Sequence, residues 1–261
     1  MAQLLSELLP TIGDGVAMPA AVGDVNSANP GPEIVAASSA GVVNVFDHAG
    51  RSVLGSTAAG DLPLAWAAGL GGEGVPRFGA NRNSNDILAA SIAFGGPTVG
   101  ELRGGGTKEI AAPTAGLTRL LDSVAPDLQL PNDDQLSAWD GTTGNHLPGS
   151  PHATEDLAFF VSPAIADLDG DGANESIAGN GVYVLHAVDA DGNEPVGWPK
   201  LTGGWSIGTP AVGDWDGDGR VEVAQQRRDG QLLVWHTPGT SAPAWGQFAC
   251  DPHRTGACTG D

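Results

Sequence analysis

The sequence predicts an all-β protein built from a repeated unit of short strands. Three observations support this: two nearly identical acidic loops, a longer repeat around them, and a composition rich in turn-forming residues. Gly and Pro supply 40 and 19 of the 261 residues, yet 41% of the chain is hydrophobic and falls in short runs. Frequent turns between strands explain this combination better than disorder does, because a disordered chain lacks the apolar residues for a core.

The two acidic loops have the residue pattern of a calcium site. Each has carboxylates at positions 1, 3, 5 and 9 and glycines at positions 4 and 6. Ca²⁺ binds carboxylate and carbonyl oxygens, and the glycines permit the tight backbone that gathers them, with position 7 contributing only its carbonyl. The predicted ligands are Asp167, Asp169, Asp171, Ala173 and Glu175 in one loop and Asp214, Asp216, Asp218, Arg220 and Glu222 in the other.

These loops differ from an EF-hand in their second half. An EF-hand needs a bidentate Glu at position 12 between two helices, whereas position 12 here is Ala178 or Gln225. Short apolar runs on both sides predict instead that each loop joins two antiparallel strands. A solvated acidic turn is the alternative, and two matched copies with four acids each make it the weaker one.

A longer repeat surrounds the loops and occurs four times. Each copy has a Pro and small apolar residues leading into an acid, then a Glu-headed apolar run. A second apolar run follows, with an aromatic residue or a His near its end, and a Gly-bearing turn and a Pro/Trp corner close the unit. The leading acids are Asp24, Glu101, Asp167 and Asp214, and the run-heading residues are Glu33, Glu109, Glu175 and Glu222.

The spacing of the copies predicts the architecture. The leading acids at 24, 101, 167 and 214 are 77, 66 and 47 residues apart, which predicts insertions around 69–86 and 117–134. About four short strands per unit is the content of one β-propeller blade, and a blade must stack on neighbours to bury its faces. We therefore expect about four recognisable four-stranded blades, as part of a larger propeller; a compact five-blade ring is the alternative if 69–97 hold another unit.

The predicted domain organisation is an N-terminal lead-in at 1–18, blades at 19–250 and a C-terminal tail at 251–261. The lead-in has no basic segment or apolar core of a signal peptide, so a fragment or misplaced start of a longer secreted protein is the hypothesis. Cys250 and Cys258 predict a disulfide that closes a small loop and fits an extracellular location, with free thiols as the alternative.

These motifs resemble the FG-GAP/VCBS repeats of integrin α-chain propellers and bacterial surface proteins. The resemblance covers about 19–250, and its most specific element is the acidic loop followed by the Glu-headed strand. It implies a β-propeller, Ca²⁺ held in blade hairpins, and a function in cell adhesion or recognition. The implied metal binding extends only to the loops that begin at Asp167 and Asp214, where the acids are present.

The other two copies depart from the calcium pattern. The first has Asp24 and Asn26 at positions 1 and 3 but no acid at position 5, so binding there should be weak or absent. The second has Arg103 at position 3. We expect no ion in that loop, with the guanidinium pairing with Glu101 or Glu109 in place of a metal.

Charge and motif content limit the possible functions. With 11 Lys+Arg against 31 Asp+Glu, the net charge of −20 disfavours nucleic acid and anionic membranes as partners, and no apolar run is long enough to span a membrane. No hydrolase, zinc-protease or dinucleotide motif occurs, so the chain is predicted to be non-enzymatic, without catalytic residues. His146, His152 and Glu155 are close in sequence, but an exposed loop pair is favoured over a site because no third partner is fixed.

Two functional hypotheses remain. The preferred one is a calcium-stabilised extracellular recognition or adhesion module whose blade-face loops contact a protein or glycan. The alternative is an accessory propeller of a secreted enzyme, such as a polysaccharide lyase or peptidase, with a glycan-binding function. Trp66, Trp198 and Trp245 recur at the same corner of the repeat, so packing between blades is favoured for them over sugar binding.

Overall fold

The protein is all-β, as the sequence predicts. The computed structural model describes residues 18–37, 43–51, 53, 91–93, 95–116, 134–158 and 161–258, and within these ranges it contains fifteen strands and no α-helix. Within the same ranges, no helical segment has the length and apolar character needed to cross a bilayer. The corner containing Trp66, the lead-in up to residue 17 and the predicted insertions, except for residue 134, lie outside the described residues.

The strands form four antiparallel sheets that follow the order of the repeats. Sheet 1 contains β1 (Ala21–Gly23), β2 (Glu33–Ala37) and β3 (Val43–Phe46). Sheet 2 contains β4 (Ser91–Ala93), β5 (Thr98–Gly100), β6 (Glu109–Gly116), β7 (Asp134–Asp140) and β8 (His152–Thr154). Sheet 3 contains β9 (Ala164–Ala166), β10 (Glu175–Gly179), β11 (Val184–Val188) and β12 (Lys200–Leu201). Sheet 4 contains β13 (Ala211–Gly213), β14 (Glu222–Gln226) and β15 (Leu232–His236).

Each predicted loop joins two antiparallel strands in the same register. The Pro-led apolar segment forms the first strand of the hairpin, the Glu-headed run forms the second, and the Glu pairs with the last residue of the first strand. The register pairs are Gly23 with Glu33, Gly100 with Glu109, Ala166 with Glu175 and Gly213 with Glu222. The local pattern of the sequence therefore fixes the position of all four loops.

The first strands of successive hairpins lie side by side, so the sheets are arranged as propeller blades. Contacts connect β1 with β5, β5 with β9, and β9 with β13. Small residues permit this close approach: a Cβ at Gly23 would lie 2.6 Å from Val99, and one at Gly100 would lie 3.0 Å from Ile165. This arrangement confirms the predicted fold class.

The C-terminal segment returns to these inner strands. Trp245 and Ile165 exchange backbone hydrogen bonds of 2.9 Å, and the N–H of Val212 donates to Gly246 at 2.7 Å. Further along, the N–H of Val22 in β1 donates to the carbonyl of Gly256 at 2.6 Å. The segment thus links sheets 3 and 4 to sheet 1.

The predicted pairing of Cys250 and Cys258 is present as a disulfide, with the two Cα atoms 5.4 Å apart. Both cysteines pack against the hydrophobic cluster that contains β1. Residues 256–258 of the region predicted as a tail therefore contact the first blade or its hydrophobic cluster. Sheet 4 also differs from the four-stranded prediction: after β15 the chain turns inward to the central strands, which leaves three strands in this sheet.

Two of the three corner tryptophans are described, and both pack on the core. Trp245 is buried in the cluster that includes β1, while Trp198 is partly buried against the cluster of sheets 3 and 4. Lys200 also lies over the Trp198 ring, 5.3 Å from its centroid. These contacts agree with the packing interpretation of the corner.

Prediction: replacing Gly256 by Ala should weaken the contact between the C-terminal segment and β1. Gly256 has a φ of +71°, and an added Cβ would overlap the backbone oxygen of Ala20. Gly50 is the matched control, because its φ is +76° and its added Cβ would meet nothing within 4 Å. Both variants should lose about 1–2 kcal/mol from the positive φ, and G256A should lose about 1–3 kcal/mol more from overpacking. Equal losses of unfolding free energy for the two variants in urea would contradict the contact between the C-terminal segment and β1.

Candidate metal-binding loops

One hydrogen bond is common to the loops of all four hairpins. The Glu that heads the second strand is buried, and its Oε2 accepts from the backbone N–H of the second loop residue. The donors are Val25, Leu102, Leu168 and Trp215, and the acceptors are Glu33, Glu109, Glu175 and Glu222, at 3.0, 2.7, 2.8 and 2.9 Å respectively. This hydrogen bond involves Oε2 of each Glu and does not involve the other carboxylate oxygen, Oε1.

The partner of Oε1 differs between the four copies. Glu33 Oε1 accepts from the Asn29 amide at 3.4 Å, and Glu109 Oε1 accepts from Arg103 Nε at 2.7 Å. Glu222 Oε1 lies 2.9 Å from His236 Nδ1. Among the described residues, no hydrogen-bond donor contacts the Oε1 of Glu175. A cation would supply the missing partner of Oε1 in the Glu175 loop. Such a partner matters because a buried carboxylate is costly without a positive or hydrogen-bonding group beside it.

The three aspartates of the first acidic loop are held by backbone N–H groups of the same loop. Asp167 accepts from Gly170 at 2.6 Å and from Gly172 at 3.1 Å through its two oxygens. Asp169 accepts from the N–H of Asp171 at 3.1 Å, and Asp171 accepts from that of Ala173 at 2.8 Å. One oxygen from each aspartate lies within 4.8 Å of the other two. The carboxylates are thus gathered around one point.

The second acidic loop repeats this geometry. Asp214 accepts from Gly217 at 2.7 Å and from Gly219 at 3.0 Å. The N–H groups of Asp218 and Arg220 donate to Asp216 and Asp218 at 3.1 and 2.8 Å, and the three carboxylates again converge within 4.8 Å. The structure therefore brings together the three predicted aspartates of each loop, and a separate group places Glu222 within 4.8 Å of Asp216 and His236. The contribution of the Ala173 and Arg220 carbonyls stays a prediction.

The electrostatics of the first acidic loop favour a cation. Burial, together with the charges of Asp169, Asp167 and Asp171, raises the pKa of Glu175 to about 8, against the opposing effect of the Leu168 N–H. A divalent ion among these groups would reverse that balance by favouring the ionised carboxylate. The converging side-chain atoms of this loop are all carboxylate oxygens, and this donor set fits a hard cation such as Ca²⁺.

The acidic loops are connected to their neighbours by backbone contacts. The Asn174 side chain donates to the carbonyl of Glu101 at 2.6 Å, across the boundary with sheet 2. Gly239 donates to the carbonyl of Leu168 at 3.1 Å and accepts from the N–H of Val221 at 2.9 Å. Gly239 therefore links the two acidic loops through two hydrogen bonds.

Arg103 occupies the degenerate second loop as the sequence predicts. Its Nε contacts Glu109 Oε1, and its Nη2 donates to Asp140 at 2.8 Å. Of the two predicted partners, Glu109 is the one observed, while Glu101 accepts from the N–H of Gly106. The guanidinium thus contacts the buried glutamate in this copy.

The structure also groups side chains that the sequence left separate. His146 lies apart, with its Nδ1 2.9 Å from Ser150 Oγ, and burial lowers its pKa to about 4. His152 and Glu155 instead lie near His186, whose ring nitrogens contact Glu155 and Glu194. From the sequence, no third partner was fixed for His146, His152 and Glu155, whereas the structure separates His146 and brings the other two to His186. The added residues come from β11 of sheet 3 and from the connection between β11 and β12, at positions that no local motif marks.

The arrangement of inner strands and blades defines the chain as a β-propeller protein. No known family model and no curated protein matches it. Among solved structures, it is similar to the quinohemoprotein alcohol dehydrogenase ADHIIG from Pseudomonas putida HK5, at 12% identity and a TM-score of 0.48, over 86% of this chain and 39% of that one.

Two further solved structures are similar at comparable levels of identity. The Dos1 propeller matches at 10% identity and a TM-score of 0.38, over 87% of this chain and 61% of that one. BamB from Moraxella catarrhalis matches at 12% identity and a TM-score of 0.29, over 86% and 73% of the two chains. The chain therefore spans less than two thirds of the length of the dehydrogenase and of the Dos1 propeller.

Prediction: Arg103→Ala should destabilise the protein because it removes the cation beside the fully buried Glu109. We expect a loss of about 1–3 kcal/mol in urea unfolding, the usual cost of leaving a buried acceptor unsatisfied. Arg228→Ala is the control, since Arg228 is exposed and lies over the ring of Trp205 instead of beside a buried carboxylate. An equal effect of the two substitutions would show that Arg103 does not compensate a buried charge.

Proposed function

We propose that the protein is a calcium-binding, non-enzymatic recognition module that acts outside the cell. The observation that carries the proposal is the loop beginning at Asp167, in which three converging aspartates adjoin the buried Glu175. The matched loop at Asp214 supplies a second site. The resemblance to FG-GAP/VCBS repeats supports the same assignment, and the disulfide of Cys250 and Cys258 supports an oxidising, extracellular location.

Calcium is the preferred ion because of the donor chemistry. Each loop presents carboxylate oxygens and neighbouring backbone, without sulfur, and its ligands lie on the loop between two strands. Ca²⁺ accepts six to eight oxygens in variable geometry, whereas Mg²⁺ demands near-ideal octahedral geometry and keeps several waters. Bound Ca²⁺ would also offset part of the net charge of −20.

A pocket beside the second acidic loop is the proposed recognition surface. It has a volume of about 410 Å³ and is lined by Trp215, Gln247, Asp251 and the Cys250–Cys258 disulfide, among others. Trp215 is half-exposed and occupies position 2 of the loop. An aromatic face beside polar side chains is a suitable surface for a glycan, since the ring packs on apolar sugar faces while polar groups bind hydroxyls. Calcium in the loop would hold Trp215 in place.

Prediction: chelator-treated protein should bind two Ca²⁺ ions per chain in calorimetric titration, and its melting temperature should rise. At an ion concentration of about 100 times Kd, each site should add about 2.7 kcal/mol. Asp169→Asn and Asp216→Asn should each abolish one site and reduce the calcium-dependent rise, with little effect in chelator, because linkage stabilises only a state that binds.

The matched control for calcium binding is Asp191→Asn. Asp191 is also an exposed turn acid, in the connection between β11 and β12, but it belongs to neither group of converging aspartates. It should retain both ions. Absence of binding heat, or equal stoichiometry in all variants, would contradict the calcium assignment and show that the loops are solvated turns.

Prediction: a glycan array probed in calcium should identify ligands whose binding depends on Trp215. Trp215→Ala should lower affinity about tenfold, which corresponds to about 1.4 kcal/mol for one aromatic contact. Trp205→Ala is the control, because Trp205 lies outside the pocket and packs under Arg228, 4.9 Å from its ring centroid. Ligands that bind both variants and the chelated protein as tightly as wild type would argue against this surface.

A further inference from the structure

We propose a separate zinc site at the boundary between sheets 2 and 3, formed by His152, His186 and Glu194. One donor atom from each of the three side chains lies within 4.8 Å of the other two. The His186 Nδ1 atom is 2.8 Å from Glu194 Oε1, and the rings of His152 and His186 are 6.0 Å apart between centroids. None of these residues belongs to the acidic loops, so the site is independent of the proposed calcium binding.

The three side chains come from different elements. His152 begins β8, the edge strand of sheet 2, and His186 lies at the centre of β11 in sheet 3. Glu194 lies in the connection between β11 and β12. A bound ion would therefore join two blades away from the inner strands, where the described strands of the two sheets do not pair and the N–H of Gly149 donates to the carbonyl of Ala190 at 2.9 Å.

Glu155 completes the arrangement from behind His186. Its Oε2 lies 2.7 Å from His186 Nε2 and also accepts from the Asn180 amide at 3.2 Å. In metal sites, a ligating histidine usually donates its other ring N–H to a carboxylate, which fixes the tautomer and the ring orientation. With Nε2–H donated to Glu155, Nδ1 of His186 is the nitrogen available to an ion shared with Glu194.

The donor set distinguishes zinc from calcium. Two imidazole nitrogens and one carboxylate suit Zn²⁺, whereas Ca²⁺ prefers oxygen donors alone. Tetrahedral ligands at the usual Zn–N and Zn–O distances are about 3.3 Å apart. The half-buried His152 side chain is free of the ion pairs that hold His186, and zinc binding would require the donor atoms to move from within 4.8 Å of one another to that separation. The fourth position would be taken by water.

Without a metal, the same residues can be explained by an ion pair that does not involve His152. The buried His186 could be an imidazolium held between Glu155 and Glu194, as its contacts of 2.7 and 2.8 Å allow. That ion pair needs no contribution from His152, whereas the zinc site does. His152 therefore separates the two explanations.

The test is a Zn²⁺ titration in excess Ca²⁺, which keeps the acidic loops filled, with metal content measured after dialysis. Wild-type protein should retain one Zn²⁺ per chain. His152→Asn and Glu194→Gln should each weaken zinc affinity at least tenfold, and Glu155→Gln should weaken it by about 10–100-fold, as removal of such an outer partner does elsewhere.

The control is His48→Asn, since His48 lies exposed in the turn after β3 and should not affect zinc binding. Melting in chelator shows whether each variant is folded. His152 pairs with Leu136 of the core across β7 and β8, and Asn at position 152 keeps the backbone of that pair, so this variant should remain folded. Absence of zinc from wild type, or equal zinc affinity in His152→Asn and wild type, would overturn the site and leave the metal-free ion pair. Loss of calcium binding alone would not affect this result.

Discussion

The loop architecture depends on the buried glutamate that begins the second strand of each hairpin. Its Oε2 accepts a backbone N–H across the loop in all four copies, and this bond holds the loop against the hairpin. A carboxylate in that position is removed from water, so its second oxygen needs a donor or a cation nearby. Leaving a charged group of this kind without a partner costs several kcal/mol, a large part of the net stability of a domain.

The four loops satisfy this requirement by different chemistry. An amide from Asn29, a guanidinium from Arg103 and an imidazole from His236 each contact one glutamate. The loops of Glu175 and Glu222 each carry three converging aspartates as well. Burial is the main cause of the raised pKa of Glu175, and the charges of the three aspartates raise it as well. The two degenerate copies keep the same register and the same glutamate hydrogen bond, so their divergence does not require a change in the backbone of the hairpin.

Local features of the sequence predicted the hairpins well, because the acids, the glycines and the apolar runs that define them are adjacent in the chain. Residues that act across sheets were harder to predict. His186 meets Glu155 from another blade, and the inward course of the segment after β15 depends on pairing with Ile165 and Val22. Such contacts form only after the blades are packed, so no periodicity or spacing within one repeat encodes them.

The same contacts explain why ions in these loops would act on the whole propeller rather than on isolated turns. The Asp167 loop accepts a hydrogen bond from Gly239 of the next blade, and Gly239 also contacts Val221 at the end of the second acidic loop. On its other side, the loop is joined to sheet 2 through Asn174. Fixing the carboxylates of one loop therefore restrains two blade boundaries at once, and the position of Trp215 beside the C-terminal disulfide extends this restraint to the pocket. Cation binding and ligand recognition would in this way share one set of backbone contacts.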